Sequence, residues 1–128
     1  MINSESREMY LETILILSEG GTKPVRSVDI ADATDFSKPS VSRAVGLLKS
    51  GGFINVADTG EITLTDEGAH VADRIYERHR VLTAALVRMG LDAELAEENA
   101  CRWEHVVSDE AFDVIKQHIN KHVAAVRE

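Results

Sequence analysis

Two short helices separated by a tight turn constrain the fold more than any other feature of this 128-residue chain. The first is predicted from Ser27 to Ala33, and Thr34-Asp35 follows it as a turn. The second runs from Ser37 to Ser50, where Gly51-Gly52 stops it, and it tolerates Pro39 because the missing N–H falls in its first turn. This arrangement predicts a helix-turn-helix.

A β-hairpin is predicted directly after the second of these helices. Phe53 to Val56 and Glu61 to Leu64 have strand composition, and Ala57-Asp58-Thr59-Gly60 supplies the turn between them. An amphipathic helix from Glu5 to Glu19 precedes the pair of short helices. Three helices followed by a two-stranded wing predict a winged helix, a fold whose commonest use is DNA binding, although some members bind only protein.

Three further helices are predicted beyond the wing, from Thr65 to Met89, Asp92 to Val107 and Asp109 to about Arg127. The segment after the first of them is too short to bury a core alone, so we expect it to pair with its copy in a second chain. The predicted fold is mainly α, with an N-terminal winged helix-turn-helix domain over residues 1–70 and a helical dimerisation domain over residues 71–128.

The distribution of charge matters more than the net charge of −8, which alone would argue against nucleic-acid binding. Phe36 to Ser50 contains basic residues and no acid, whereas Asp92 to Glu110 is strongly acidic. The exposed side of the second short helix offers small hydroxyls, a proline and two cations, which suit a DNA groove. The predicted DNA-binding residues are Ser37, Lys38, Pro39, Ser40, Ser42 and Arg43.

Cys101, Glu104 and His105 are spaced so that a helix would project them from one face. A thiol, a carboxylate and an imidazole are all metal-capable groups. No nucleophile elbow, phosphate loop, dinucleotide fingerprint or zinc-protease motif occurs, so we predict no enzyme. With one cysteine, no long apolar run and a polar start from Met1 to Arg7, we expect a cytoplasmic protein without a membrane span.

Five stretches resemble the diphtheria toxin repressor / manganese transport regulator family, in the right order and over nearly the whole chain. They are Glu8–Ile14, Phe36–Ser42, Leu64–Gly68, Arg78–Arg80 and Ala100–Asp109. The last is the most specific and is very close to the iron-responsive branch. The resemblance implies a homodimeric, metal-activated repressor of metal uptake genes that binds a palindromic operator, in a short form without the SH3-like third domain.

The resemblance also implies a set of metal ligands. Met9, Cys101, Glu104 and His105 match the activating site of the iron-type branch. Because soft sulfur ligands fit Fe(II) better than Mn(II), Fe(II) is favoured and Mn(II) comes next. Glu12, however, stands where manganese-type members place a ligand.

A second, ancillary cation site is matched only in part. His79 corresponds to a ligand used in both branches, whereas Thr83 and Glu97 stand where iron-type members have a glutamate and a histidine. Glu97 could still join Glu12, His79 and Glu104 in a different arrangement.

Two alternatives stay open at this point. One is a winged-helix regulator that responds to an organic ligand, with Cys101 as a buried structural thiol. The other is a metal-binding or protein-interaction module that does not bind DNA.

Overall fold

The computed structural model describes residues 2–21 and 23–127, with side chains described as far as residue 120. These residues form two compact units, Met1–Arg74 and Ile75–Glu128. In chain order the elements are α1 (Ser4–Gly20), α2 (Ser27–Thr34), α3 (Lys38–Ser50), β1 (Ile54–Val56), β2 (Ile62–Leu64), α4 (Asp66–Arg88), α5 (Ala93–Trp103) and α6 (Asp109–Arg127).

The first unit is built around one apolar core to which α1, α2, α3 and both strands contribute. The ring centroid of Tyr10 lies 5.9 Å from that of Phe36, and burial raises the pKa of Tyr10. The buried members of the core are Tyr10, Leu11, Ile14, Val25, Ile30, Ala31, Val41, Ala44, Val45, Leu48, Ile54, Ile62 and Ala72.

The turn between α2 and α3 depends on Asp35, whose φ of +60° places it in the left-handed region that ends many helices. Its backbone N–H donates to the carbonyl oxygen of Ala31 at 2.9 Å, which closes α2. Ser37 then caps α3, because its hydroxyl oxygen accepts the backbone N–H of Ser40 at 3.3 Å. The predicted helix-turn-helix is confirmed.

The wing is an antiparallel pair in which Ile54 faces Leu64 and Val56 faces Ile62. Ile54 and Ile62 are buried against the core, so the period of two along each strand fixes the register. Val25 adds an isolated bridge to Ile62. A winged helix-turn-helix followed by helices is therefore the observed fold, with each strand starting one residue later than predicted.

In the second unit α4 buries Ile75, Arg78, Leu82 and Ala85, at the three- and four-residue spacing of one helical face. Buried residues on the other two helices are Ala96 and Ala100 on α5 and Phe112 and Ile119 on α6. On the surface, Glu77 of α4 accepts a 2.5 Å hydrogen bond from Lys116 of α6, which raises the pKa of Lys116.

The prediction that the fifth helix reaches Val107 is wrong, because α5 ends at Trp103. The backbone N–H groups of Val106 and Val107 both donate to the carbonyl oxygen of Trp103, at 3.0 Å each. Ser108 must leave the helix in order to cap α6, where its hydroxyl accepts the N–H of Ala111 at 3.1 Å. Residues 104–107 therefore form a turn between the two helices.

Across the described ranges, no helix combines the length and the apolar character needed to cross a bilayer.

Candidate metal centre and DNA-binding surface

Three of the predicted metal-binding side chains meet within the second unit. His79 lies on α4, Glu104 is the C-cap residue directly after α5, and His105 follows it in the turn. The Nδ1 atom of His79 is 2.8 Å from Oε2 of Glu104, and the Nε2 atom of His105 is 3.4 Å from Oε1 of Glu104. One carboxylate is thus flanked by two imidazoles.

The Glu104 side chain is fully buried. Its Oε1 atom accepts no hydrogen bond from any residue that the structure describes, although buried carboxylate oxygens are normally hydrogen-bonded. Two ligand atoms of one first-row transition metal lie roughly 3.0–3.4 Å apart when each bond is about 2.1 Å long. The 3.4 Å spacing between Glu104 and His105 falls in this range, whereas the 2.8 Å between Glu104 and His79 is the length of a direct hydrogen bond. The donor types are those that bind divalent transition metals.

Cys101 differs from Glu104 in solvent exposure. It lies three residues earlier on α5 and is exposed, whereas Glu104 is fully buried. Glu104 keeps nearly helical dihedral angles, φ −57° and ψ −26°, and the helix has ended before His105. The exposed thiol contradicts the alternative in which Cys101 is a buried structural residue.

The other two predicted ligands, Met9 and Glu12, lie on α1 in the first unit. Met9 packs half-buried against the apolar core, and its Sδ atom is 3.9 Å from the hydroxyl of Thr13. Glu12 is buried, with 8 % of its surface exposed. An acidic residue among the buried positions of a helix is unusual and normally has a bonding reason.

Glu97, the residue predicted for a second site, is exposed on α5. It lines an open cavity of about 380 Å³ together with His79 and Thr83. The hydroxyl oxygen of Thr83 is buried and has no hydrogen-bond partner among the described residues. Glu97 and His79 thus face a common space within the second unit.

The predicted DNA-binding residues form one exposed surface at the start of α3. The opposite side of this helix is buried in the core. The hydroxyl oxygens of Ser37 and Ser40 lie 2.9 Å apart while Ser37 also caps the helix, so both are partly committed to local structure. The exposed residues are Ser37, Lys38, Pro39, Ser40, Ser42 and Arg43.

Arg26, which was not among the predicted site residues, bonds the wing turn to the start of α2. Its Nη1 atom donates to the carbonyl oxygen of Thr59 in the wing turn. Its backbone N–H donates at 2.9 Å to the carboxylate of Asp29 in the first turn of α2. One residue therefore joins the start of the helix-turn-helix to the tip of the hairpin.

Two family models match, one after the other. Residues 3–61 match the N-terminal DNA-binding domain of iron-dependent repressors, and residues 65–123 match their metal-binding and dimerisation domain. The chain belongs to the iron-dependent repressor family.

Similar proteins agree with this membership. The chain is 37 % identical over 107 residues to the diphtheria toxin repressor of Corynebacterium glutamicum, covering 83 % of this chain and 46 % of that protein. It is 31 % identical over 119 residues to an uncharacterized HTH-type transcriptional regulator of Methanocaldococcus jannaschii, covering 92 % of this chain and 95 % of that one. The chain spans about half the length of the first of these relatives.

Among solved structures, that of the manganese regulator SloR has 29 % sequence identity and a TM-score of 0.78 to this chain, covering 89 % of this chain and 53 % of the other. The named relatives are repressors and regulators rather than enzymes.

In this member of the family, Arg78 is the residue near His79 and Glu104 that the sequence analysis did not identify. In the sequence it was noted only as part of the stretch Arg78–Arg80 that resembles the family. In the structure it is buried, with only 4 % of its surface exposed. The sequence does indicate this burial, because Arg78 falls on the apolar face of α4 between Ile75 and Leu82. An arginine at a core position is rarely buried without specific partners.

Proposed function

We propose that this chain is a metal-activated, DNA-binding transcriptional repressor that acts as a homodimer in the cytoplasm and controls genes for iron or manganese uptake. The observation that supports the metal requirement most directly is the buried carboxylate of Glu104 between His79 and His105. The surface of α3 supports DNA binding, and the two matching family models join both properties in one chain.

The proposed metal ligands are Met9, Glu12, His79, Cys101, Glu104 and His105. Of these, Met9, Cys101, Glu104 and His105 match the activating site, and His79 matches a ligand of the second, ancillary site. The sulfur atoms of Met9 and Cys101 favour Fe(II), whereas Glu12 adds a hard oxygen that suits Mn(II), so we place Fe(II) first and Mn(II) second. Relatives described as iron-dependent repressors and as a manganese regulator support both choices. Glu97, across the cavity from His79, is the proposed extra ligand of an ancillary cation.

The proposed DNA-binding domain is residues 1–70, and the proposed metal-binding and dimerisation domain is residues 71–128. When bound, the ion supplies coordinate bonds that join ligands on α1 to ligands of the second unit. Met9 and Glu12 would then hold the winged helix in one orientation relative to the dimerisation helices. Restricting the orientation selects one binding-competent state from a broader population.

In a dimer, the orientation of each winged helix sets the separation of the two α3 helices. Both enter the major groove of a palindromic operator only when they are about 34 Å apart, or a multiple of that distance. Lys38 and Arg43 would contact phosphates or bases, while Ser37, Ser40 and Ser42 would lie at the groove surface. The acidic segment between Asp92 and Glu110 belongs to the part that does not contact DNA.

The homodimer is supported by large apolar side chains that the second unit leaves exposed. Met89 is 75 % exposed and Val114 is 68 % exposed, and both line an open, apolar cavity of about 580 Å³ between α4 and α6. Large exposed apolar patches on soluble proteins commonly mark interaction surfaces.

Operator binding across a metal series tests the proposal. A pool of random-sequence duplexes is selected with the chain and Co(II) under anaerobic conditions, and the selected duplex is titrated with Fe(II), Mn(II), Co(II), Zn(II) or no metal, with fluorescence anisotropy as the readout. We expect binding that requires metal. His105→Ala should lose the metal response, whereas His70→Ala, at an exposed position on α4, should keep it. Equal affinity with and without metal refutes metal activation.

The apolar cavity also favours one rival function, regulation by an organic ligand that enters between α4 and α6. Measuring metal binding to the chain by isothermal titration separates the two. The rival predicts no stoichiometric metal uptake, and its DNA affinity would be insensitive to His105→Ala.

A further inference from the structure

Arg78 is a buried cation placed one residue before His79 on α4, and its guanidinium group donates three hydrogen bonds to described residues. Nη1 donates to two backbone carbonyl oxygens, that of Glu104 at 3.1 Å and that of Val107 at 2.6 Å. Nη2 donates to Oδ1 of Asp109 at 2.5 Å. The guanidinium carbon also lies 5.2 Å from the centre of the Phe112 ring.

These partners are all parts of the connection between α5 and α6. Glu104 is the C-cap residue after α5, Val107 is the last residue of the turn, and Asp109 begins α6. The last carbonyl groups of a helix have no partner within the helix, so a donor from outside must satisfy them when they are buried. Arg78 supplies that donor to both ends of the turn.

We propose that Arg78 is a positioning residue of the metal centre. By bonding the backbone on either side of His105, it holds the turn against α4 and sets the distance from Glu104 and His105 to His79. The metal part of this proposal rests on the proposed function above, whereas the ordering of the turn does not.

The position requires arginine because its three acceptor oxygens need one donor group of rigid, planar geometry. The planar guanidinium directs several N–H donors along fixed directions, so one group can serve two carbonyls and a carboxylate at once. Lysine keeps the positive charge but offers a single nitrogen on a flexible stem. Arg78→Lys therefore removes the geometry while retaining the charge and a good helix former.

The matched control is Arg80→Lys. Arg80 lies on the same helix, is exposed, and has its guanidinium carbon 5.0 Å from the centre of the Tyr76 ring. Arg78→Gln serves as a second variant that is neutral yet can still donate. Circular dichroism and thermal unfolding of the metal-free proteins establish the temperature at which all variants are folded, and later measurements are made below it.

The first readout is hydrogen–deuterium exchange of the metal-free chain, followed by mass spectrometry. We expect Arg78→Lys to speed amide exchange at residues 104–109 at least about 10-fold, because the turn loses its donors and opens more often. Arg80→Lys should exchange there as the wild type does. Wild-type exchange rates at residues 104–109 in both Arg78 variants would overturn the proposal.

The second readout is anaerobic titration with Co(II), whose visible absorption reports the ligand geometry. Loss of a residue that orients ligands typically weakens metal binding about 10–100-fold, so we expect that decrease and an altered spectrum for Arg78→Lys. Neither is expected for Arg74→Lys, at an exposed position on α4 that does not line the cavity of His79 and Glu97. Unchanged affinity and spectrum would overturn the role in metal binding. A wild-type chain that binds no Co(II) refutes the proposed function together with this role, and the exchange result still decides whether Arg78 orders the turn.

Discussion

Gly68 in the first turn of α4 allows the wing and this helix to approach each other closely. A Cβ atom at this position would lie 1.9 Å from the carbonyl oxygen of Phe53 and 3.0 Å from its carbonyl carbon. Ordinary carbon–oxygen contacts are about 3.3 Å or longer, so Gly68→Ala must separate the two segments by more than about 1 Å. Both atoms belong to backbone, which cannot rotate away as a flexible side chain would.

The expected cost follows from what this displacement breaks. Forcing extra volume into a close-packed site costs about 1–3 kcal/mol. The same Phe53 carbonyl accepts the backbone N–H of Thr65 at 3.1 Å, and the Thr65 hydroxyl donates to the carbonyl of Gly52 at 2.7 Å, so a strained hydrogen bond adds about 1 kcal/mol. Replacing glycine by alanine in a helix gains up to about 1 kcal/mol of helix propensity, so we expect a net loss of about 1–3 kcal/mol.

Thermal unfolding followed by circular dichroism, at one fixed protein concentration, measures this loss. For a domain of the size of the first unit, about 1 kcal/mol corresponds to 4–8 °C, so Gly68→Ala should lower Tm by roughly 4–24 °C. Gly46→Ala is the matched control, since no atom lies within 4 Å of the added Cβ in the middle of α3. It should raise the unfolding free energy by up to about 1 kcal/mol. Equal Tm changes for the two variants would refute the reasoning.

Three further predictions concern metal binding, the stability of α3 and DNA binding. Glu104→Gln should weaken Co(II) binding by more than the roughly 10–100-fold expected for a supporting residue, because it removes a proposed ligand while nearly keeping the side-chain shape, and a calorimetric titration measures this loss. Ser37→Ala should lower the unfolding free energy by about 1 kcal/mol in urea titrations, because α3 loses its cap. Arg43→Ala should reduce the slope of log affinity against log salt by about 1 if Arg43 contacts a phosphate, and an unchanged slope would assign it to a base or to no contact.

The winged domain could be predicted from local signals because each of its boundaries has its own chemistry. Ser37 caps α3 where a capping residue was expected, and the glycines after Ser50 end the helix. The two strands are short and are joined by a turn, so each pairs with the strand nearest to it along the chain. What remained unpredicted was tertiary, such as the contact between Gly68 and Phe53.

The metal region was less predictable, since its geometry depends on where α5 stops. Helical spacing placed Cys101, Glu104 and His105 on one face, but that rule applies only while the helix continues, and α5 ends at Trp103. The resemblance supplied the residue identities without their surroundings. No local pattern predicts that Glu104 becomes fully buried while Cys101 stays exposed.

The contacts of Arg78 indicate why a charged residue occupies an otherwise apolar stripe. Its own side chain is 5 % exposed, but the side chain of Asp109 is 67 % exposed, so their ion pair is screened by solvent and contributes little to stability. Replacing a buried ion by an apolar side chain of similar volume is often neutral or stabilising, so folding alone does not call for arginine here. The specific contribution of Arg78 is therefore its two hydrogen bonds to the backbone carbonyl oxygens of Glu104 and Val107. They fix the backbone on both sides of His105, which is the property that a metal centre beside His79 requires.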